Sequence, residues 1–376
     1  MSKKTLSVCL KSARESIGLT IIEAAARLGF ASYQTLSKIE AGEREVKASE
    51  LSKFAKVYFC SIGKLLGEED KPTEYSFLWR DAPTDESVKK EIEAEIFYRS
   101  DQYSLLERLL GTKVNKGFIN VSIDDIRGNN EINILAAEVS DLLGLGNRPA
   151  FTLQKVLEQD YGVKIFFHPL SSGSAFSMVH PDVGSVIVIN SNEAPWRRNY
   201  DLAHELFHLI TWKVVNPSDL EDPLYFNEIE KKANKFASIL LLPENEISAE
   251  VRNRVEAQKE FTYSDVVDIA MEFGASAVAL IYRLANLRFI KWEDADESAH
   301  DEELAKISRN MRKEEWGEEP KPERFHSLAI RCLRKGLISR GKFSEIVNID
   351  RSDIDEFISD KGLMEQEGNT IEIMAT

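Results

Sequence analysis

Apolar residues recur at helical spacing through most of the chain, and the places where the rhythm changes divide it into parts. Over residues 6–66 short apolar stripes alternate with turn signals, which predicts four or five short helices. Thr20 followed by Glu23 has the form of a capping box, in which each side chain satisfies a backbone N–H of the other. Ile22, Ala25, Ala26 and Leu28 then follow at helical spacing as far as Gly29, a stop signal. Ser32 can cap a second helix over Tyr33–Glu40, with Leu36 and Ile39 turned inward and Ala41-Gly42 closing it. Two short helices joined by a tight turn, the second opening on a polar cap, form the helix-turn-helix pattern.

From Gly67 to Ser87 the chain turns to Glu, Asp, Pro and Thr, the composition of a linker. Residues 88–110 regain helical spacing through Ile92, Ile96, Tyr103, Leu106 and Leu110, and further helices are predicted over Asn133–Leu143 and Leu153–Tyr161. The period then shortens. Val163–Phe167, Ala175–Val179 and Ser185–Asn190 read as strands, the last with four β-branched residues in a row at Val186–Ile189. That strand is either an ordinary core strand or one that pairs with an extended substrate backbone. Helices are predicted again over Arg198–Val214, Asn227–Leu241, Tyr263–Phe273 and Ser276–Ala285. Lys291–Pro322 is dense in charge and reads as a linker, and a small helical unit runs from Arg324 to about Gly362. The pattern predicts an α+β protein that is mostly α, with a small sheet. Its expected divisions are a helix-turn-helix bundle at 1–67, a linker and helical connector at 68–130, a central domain at 131–290, a charged linker at 291–323 and a C-terminal helical domain at 324–376.

The length of 376 residues fits two or three compact units. The net charge of −15 argues against a chain that binds nucleic acid along its whole surface, but residues 1–66 hold eleven Lys/Arg against six Asp/Glu. Contact with DNA is therefore expected through the head alone. The three cysteines, Cys9, Cys60 and Cys332, are scattered and lack metal-ligand spacing, so free or buried thiols are expected. No apolar run is long enough to span a bilayer and no signal peptide is expected, which leaves the cytoplasm as the expected compartment.

The strongest chemical signal is His204-Glu205-Leu206-Phe207-His208. Histidines at i and i+4 project one turn apart from one helical face, so both imidazoles can grip one cation. Glu205, one position on from His204, can reach a water on that cation without ligating it and act as general base. Leu202, Ala203, Leu206, Leu209 and Ile210 place the helix in a core, where unpaired His and Glu are costly. A third ligand is required. Glu230 is the candidate, with Glu228 its nearest competitor, and Ala233 and Ala237 are small enough for two helices to approach. Asn234, one turn beyond Glu230, can hydrogen-bond a ligating imidazole and hold its tautomer. The implied cofactor is Zn2+. No oxyanion donor is identifiable; Tyr200, His180, Tyr282 and Arg283 are the candidates.

About residues 130–290 resemble the ImmA/IrrE family of metallopeptidases. The resemblance rests on Ser185–Asn190, on Arg198-Asn-Tyr-Asp-Leu-Ala-His-Glu-Leu-Phe-His208, on Glu230-Lys-Lys-Ala-Asn-Lys-Phe-Ala237 with Leu240–Pro243, and on Ile269–Ser276 with Tyr282–Leu287. It implies a zincin-like domain in which His204, His208 and Glu230 bind zinc and Glu205 is the catalytic base. It also implies that the substrate is a partner protein, a transcriptional repressor in a mobile-element or stress response. Residues 6–66 resemble the Xre-type helix-turn-helix domains of phage repressors through Gly18-Leu-Thr20, Glu23-Ala-Ala25, Leu28-Gly29 and Leu36-Ser-Lys-Ile-Glu-Ala-Gly42. Tyr33, Gln34, Ser37 and Lys38 are then the expected DNA contacts, with Gln34 suited to adenine. One departure stands out: Ile21 occupies the position where many relatives carry Gln.

The expected partners are a protein substrate, DNA through the head and a second copy of the chain, with no membrane. Two alternatives to a DNA-binding metallo-endopeptidase remain at this point. One is a DNA-binding regulator whose zinc domain senses or scaffolds without cutting; the other is an antitoxin-like component. The head itself admits a further alternative, a helical protein-binding or dimerisation module.

Overall fold

The structure is a computed structural model that describes residues 3–67, 77–79, 81–112, 120–211, 222–315 and 320–360. Of the sequence-based expectations, linker residues 68–76, the predicted helix beyond Thr211, residues 316–319 of the charged linker and the tail beyond Asp360 lie outside the described residues. The fold is α+β and mostly α, with a four-stranded sheet. The chain divides into two compact units, the first drawn from 1–76, 82–112 and 325–376 and the second from 77–81 and 113–324.

The first unit opens with α1 (Lys3–Ser16), α2 (Ile21–Arg27), α3 (Tyr33–Glu40), α4 (Ala48–Val57) and α5 (Ile62–Leu65). The capping box forms as the sequence predicts: the Glu23 backbone N–H donates to Thr20 Oγ1 at 3.3 Å, and the Thr20 N–H donates to Glu23 Oε2 at 2.9 Å. Ser32 accepts the Gln34 N–H at 3.2 Å and so starts α3. Leu10, Ala24, Leu28, Leu36, Ile39, Phe54 and Leu65 close one core. A long helix, α6 (Glu86–Leu110), follows, capped by Asp85 and ended by Gly111 in the left-handed conformation. Ala94 on α6 packs against the core of the head, and Glu91 pairs with Arg27. Gly18 has a structural reason to be glycine. Its φ is +76°, and a Cβ there would lie 3.0 Å from Ser87 Cα. The helices Glu323–Arg334 and Arg340–Val347 also meet α6: Phe325 packs on Tyr103 with ring centroids 5.1 Å apart, and Tyr98 donates to Glu345 at 2.9 Å.

In the second unit the strands are β1 (Phe77–Trp79), β2 (Lys164–His168), β3 (Ala175–His180) and β4 (Gly184–Asn190), in the order β1-β3-β4-β2. β1 and β4 each run antiparallel to β3, and β2 runs parallel to β4. β4 is therefore an interior strand, with Ile187 paired to Ile165 on one side and to Ser177 on the other. Of the two readings of this strand, the structure bears out the core strand and overturns pairing with a substrate backbone, because both of its hydrogen-bonding edges are already taken. β1 comes from the stretch read as linker; Trp79 stacks on Phe176 with centroids 3.8 Å apart. Helices α7 (Asn129–Leu143), α8 (Pro149–Gln159), α9 (Pro195–Thr211) and α10 (Pro223–Leu241) build the main core with the sheet. A second cluster is formed by α11 (Glu244–Gln258), α12 (Tyr263–Glu272), α13 (Ala277–Asn286), α14 (Trp292–Ala299) and α15 (Glu302–Met311). The last two lie within the stretch read as a charged linker, where buried Ala295 and Leu304 give each helix an inward face.

Candidate metal centre

The centre is assembled by α9 and α10 in front of the sheet. Asn190, the last residue of β4, sets where α9 begins. Its carboxamide accepts from the Leu170 and Asn192 N–H groups, each at 3.1 Å, and donates to Leu170 O at 3.2 Å and Gly173 O at 3.0 Å, which ties down the loop ahead of the helix. Every residue of α9 from Asp201 to Thr211 is buried. Its apolar residues fill the core, so Asp201, His204, Glu205 and His208 form a polar stripe at helical spacing inside the protein. A desolvated stripe of this kind is stable only if its members satisfy one another or hold a cation.

α10 supplies the partner. Ala233 and Ala237 are fully buried and leave room for the close approach, and Phe236 packs on Phe207 with centroids 5.5 Å apart. Glu230 is 8% exposed and faces both rings: Oε2 lies 3.3 Å from His204 Nε2 and Oε1 lies 3.1 Å from His208 Nε2. Glu228, its competitor in the sequence, is exposed. The two Nε2 atoms are 3.1 Å apart. On the other side of the His204 ring, Nδ1 lies 3.2 Å from Asn234 Oδ1. A carboxamide oxygen can only accept, so Nδ1 carries the proton and Nε2 presents its lone pair. Two imidazole nitrogens and a carboxylate at these separations fit zinc. Ligand atoms about 2.0–2.1 Å from a tetrahedral zinc are about 3.3 Å from each other. The donor set, two imidazoles and one carboxylate, contains three protein ligands rather than the four that close a structural zinc site.

Ligand atoms of His204, Glu205 and His208 also lie within 4.8 Å of one another, so Glu205 stands near the same point. Glu230 is the stronger candidate for third ligand, since its two oxygens meet the two ring nitrogens directly. Burial pushes the Glu205 carboxyl up to about 7, against the opposing effects of His208 and of the nearby Ser177 hydroxyl. Burial alone would raise Glu230 as well, but its position against the two imidazoles outweighs that and holds the carboxyl well below the usual range. The two carboxylates are thus separated into one that stays ionised against the cationic side and one suited to taking up a proton.

Ser177 was not found from the sequence. It sits fully buried on β3 between buried Phe176 and Met178, and a hydroxyl within so buried a strand is the signal that could have marked it. The oxyanion candidates are all engaged elsewhere. Tyr200 donates to Asn234, Tyr282 to Asp296 at 3.2 Å and Arg283 to Leu242 O at 2.9 Å, while His180 Nδ1 accepts from the Asp182 N–H at 3.1 Å. In the head, Tyr33, Gln34, Ser37 and Lys38 share the exposed side of α3, opposite buried Leu36 and Ile39. Ile21 is half-buried against the core of the head, and its neighbour Ile22 is 65% exposed. Among the described residues no helix is long and apolar enough to cross a membrane.

Fold and site together define a helix-turn-helix protein with a second unit built around a buried His-Glu-His helix. Residues 10–65 match the family model described as helix-turn-helix, and residues 158–285 match the peptidase family model described as the IrrE N-terminal-like domain; the chain carries both. No curated protein matches it. A solved structure described as a Mycobacterium tuberculosis transcriptional regulator is similar at 16% identity and a TM-score of 0.30, over 49% of this chain and 51% of that one. The chain spans about half the length of that structure, and a likeness at this level carries no argument.

Proposed function

We propose that the chain is a zinc-dependent metallo-endopeptidase that cuts a partner protein, a helix-turn-helix transcriptional repressor, and that its own head binds DNA. The observation that carries this reading is the convergence of His204, His208 and Glu230 beside a buried carboxylate, Glu205, that is not needed as a ligand. Zinc, when bound by those three residues, supplies a positive charge that lowers the pKa of water and polarises a peptide carbonyl. The remaining chemistry falls to the chain. Glu205 takes the proton of the attacking water and delivers it to the amide nitrogen as the C–N bond breaks, so that water is added across the peptide bond.

The regulator without proteolysis remains the second reading, favoured by the exposed face of α3. A purely structural zinc site is closed by four protein ligands and has no use for a base beside the metal. Purified protein should hold about one zinc per chain. Glu205→Gln should retain the metal and lower cleavage of a repressor encoded beside the chain by about 10²–10⁴-fold, read as loss of the cleaved band. Undiminished cutting by that variant would exclude Glu205 as the base. A variant that loses cutting yet still complements the wild type in cells would favour the regulator.

A further inference from the structure

We propose that Tyr200 is a positioning residue of the metal centre, holding the Asn234 carboxamide against His204 so that Nε2 of that ring is presented to the metal. The inference rests on the zinc reading of the site. Tyr200 lies one turn before His204 on α9, so its ring shares the ligand's face. Its hydroxyl reaches Asn234 twice, 3.0 Å from the backbone carbonyl and 3.1 Å from Oδ1. Both are acceptors, so the phenol is the donor toward Asn234. The one phenol proton is shared between the two oxygens, so Oδ1 meets that bifurcated donor and also His204 Nδ1 at 3.2 Å. That pair of donors stabilises the carboxamide orientation in which oxygen, not nitrogen, faces the imidazole. The alternative orientation would turn an N–H toward Nδ1 and place the ring proton on Nε2, the nitrogen that must bind the cation. The tyrosine ring is braced in turn by Arg197, whose guanidinium carbon lies 5.7 Å from the ring centroid and whose Nε meets Asp201 at 3.4 Å.

The oxygen that accepts from a ligating histidine fixes the ring and strengthens its basicity, and loss of such outer partners typically lowers metal affinity by about 10–100-fold; Tyr200 acts by holding that oxygen in place. The same geometry removes Tyr200 from the list of oxyanion donors, because its hydroxyl is turned to Asn234.

The test is zinc affinity of the full chain, measured by competition with a chromophoric chelator, for the wild type, Tyr200→Phe, Asn234→Ala and the double variant. Tyr200→Phe should weaken zinc binding about 10-fold or more, while adding less than about 2-fold in the Asn234→Ala background, since the hydroxyl acts through that side chain. In the zinc-loaded wild type, ¹⁵N-histidine NMR should show a slowly exchanging His204 Nδ1–H signal that broadens in Tyr200→Phe. Loss of a ring contact without the hydrogen bond would not produce this change. Equal zinc affinity in the wild type and Tyr200→Phe overturns the inference and leaves the metal centre standing. Additive losses in the double variant overturn it too. If Tyr200→Phe fails to fold, a wild-type Nδ1–H that exchanges freely with solvent would do the same. A wild-type chain that takes up no zinc would sink the metallopeptidase reading itself, and the inference with it.

Discussion

Two buried glutamates, Glu158 and Glu230, show how neighbours rather than burial decide the state of a carboxyl. Glu230 faces two imidazoles and is held ionised. Glu158, on α8, is 3% exposed, and burial raises its carboxyl from an ordinary 4.5 to about 8, against the smaller opposing effects of the Gln154 amide at 3.5 Å and of the Arg324 charge. The sign of the effect on stability follows from linkage. Between about pH 4.5 and 8 the folded chain keeps a proton that the unfolded chain has released, so stability falls as pH rises through that window. Below it both states are protonated and the cost vanishes; above it the full cost is present. Glu158→Gln keeps the shape and the amide contact but cannot ionise. It should stabilise the protein by on the order of 3 kcal/mol at pH 8.5 and by less than about 1 kcal/mol at pH 5. Thermal melts at the two pH values check this, and a gain that is the same at both would refute it.

At the scale of elements, α3 has two kinds of exposed residue, and they should fail differently. Gln34 can read a base edge in a bidentate manner, whereas Lys38 is suited to a phosphate. Gln34→Ala should relax sequence preference, while Lys38→Ala should weaken binding to all sequences about equally and reduce the salt slope by about 1. Gel shifts over a salt series separate the two, and a head with no DNA affinity at low salt would leave only the protein-docking reading. α3 and α9 were legible in the sequence because local signals and burial agree. Ser32 caps α3, Leu36 and Ile39 mark its inner face, and the spacing of His204 and His208 has one structural meaning. Glu230 was legible by pairing an acid with Ala233 and Ala237. Three kinds of element were not. β1 is three residues long and depends on pairing with β3, about a hundred residues away in the chain. α11 carries Ile247 and Val251 among many charges, so its inner face is narrow. α14 and α15 each bury a single residue, Ala295 and Leu304, and their charge density masks the period. Tyr200 and Ser177 were illegible in role because what they do is set by contacts across elements.

For the whole molecule, the consequence of two compact units with separate cores is that the metal should stabilise one and not the other. Each ligand candidate, and the Asn234 and Tyr200 groups behind them, belongs to the unit that includes 113–324, whereas the core of the head is closed by Leu10, Leu36, Phe54 and their neighbours in the unit that includes 1–76. A cation that binds only the folded state adds about 2.7 kcal/mol when free metal stands at a hundred times its dissociation constant. Its removal also leaves the Glu230 carboxylate facing two buried imidazole Nε2 atoms with no cation between them, a costly arrangement in a desolvated core. Chelation should therefore lower one calorimetric transition by roughly 5–10 °C, for a unit of this size, and leave the transition of the head in place. Binding of the head to its operator should be unchanged in the same chelated sample. A chelator that moves both transitions together would mean that the two cores unfold as one. Chelation that moves neither, in protein shown to have lost its zinc, would mean that Glu230 and the histidines are held in place by packing, with the cation adding nothing to the fold.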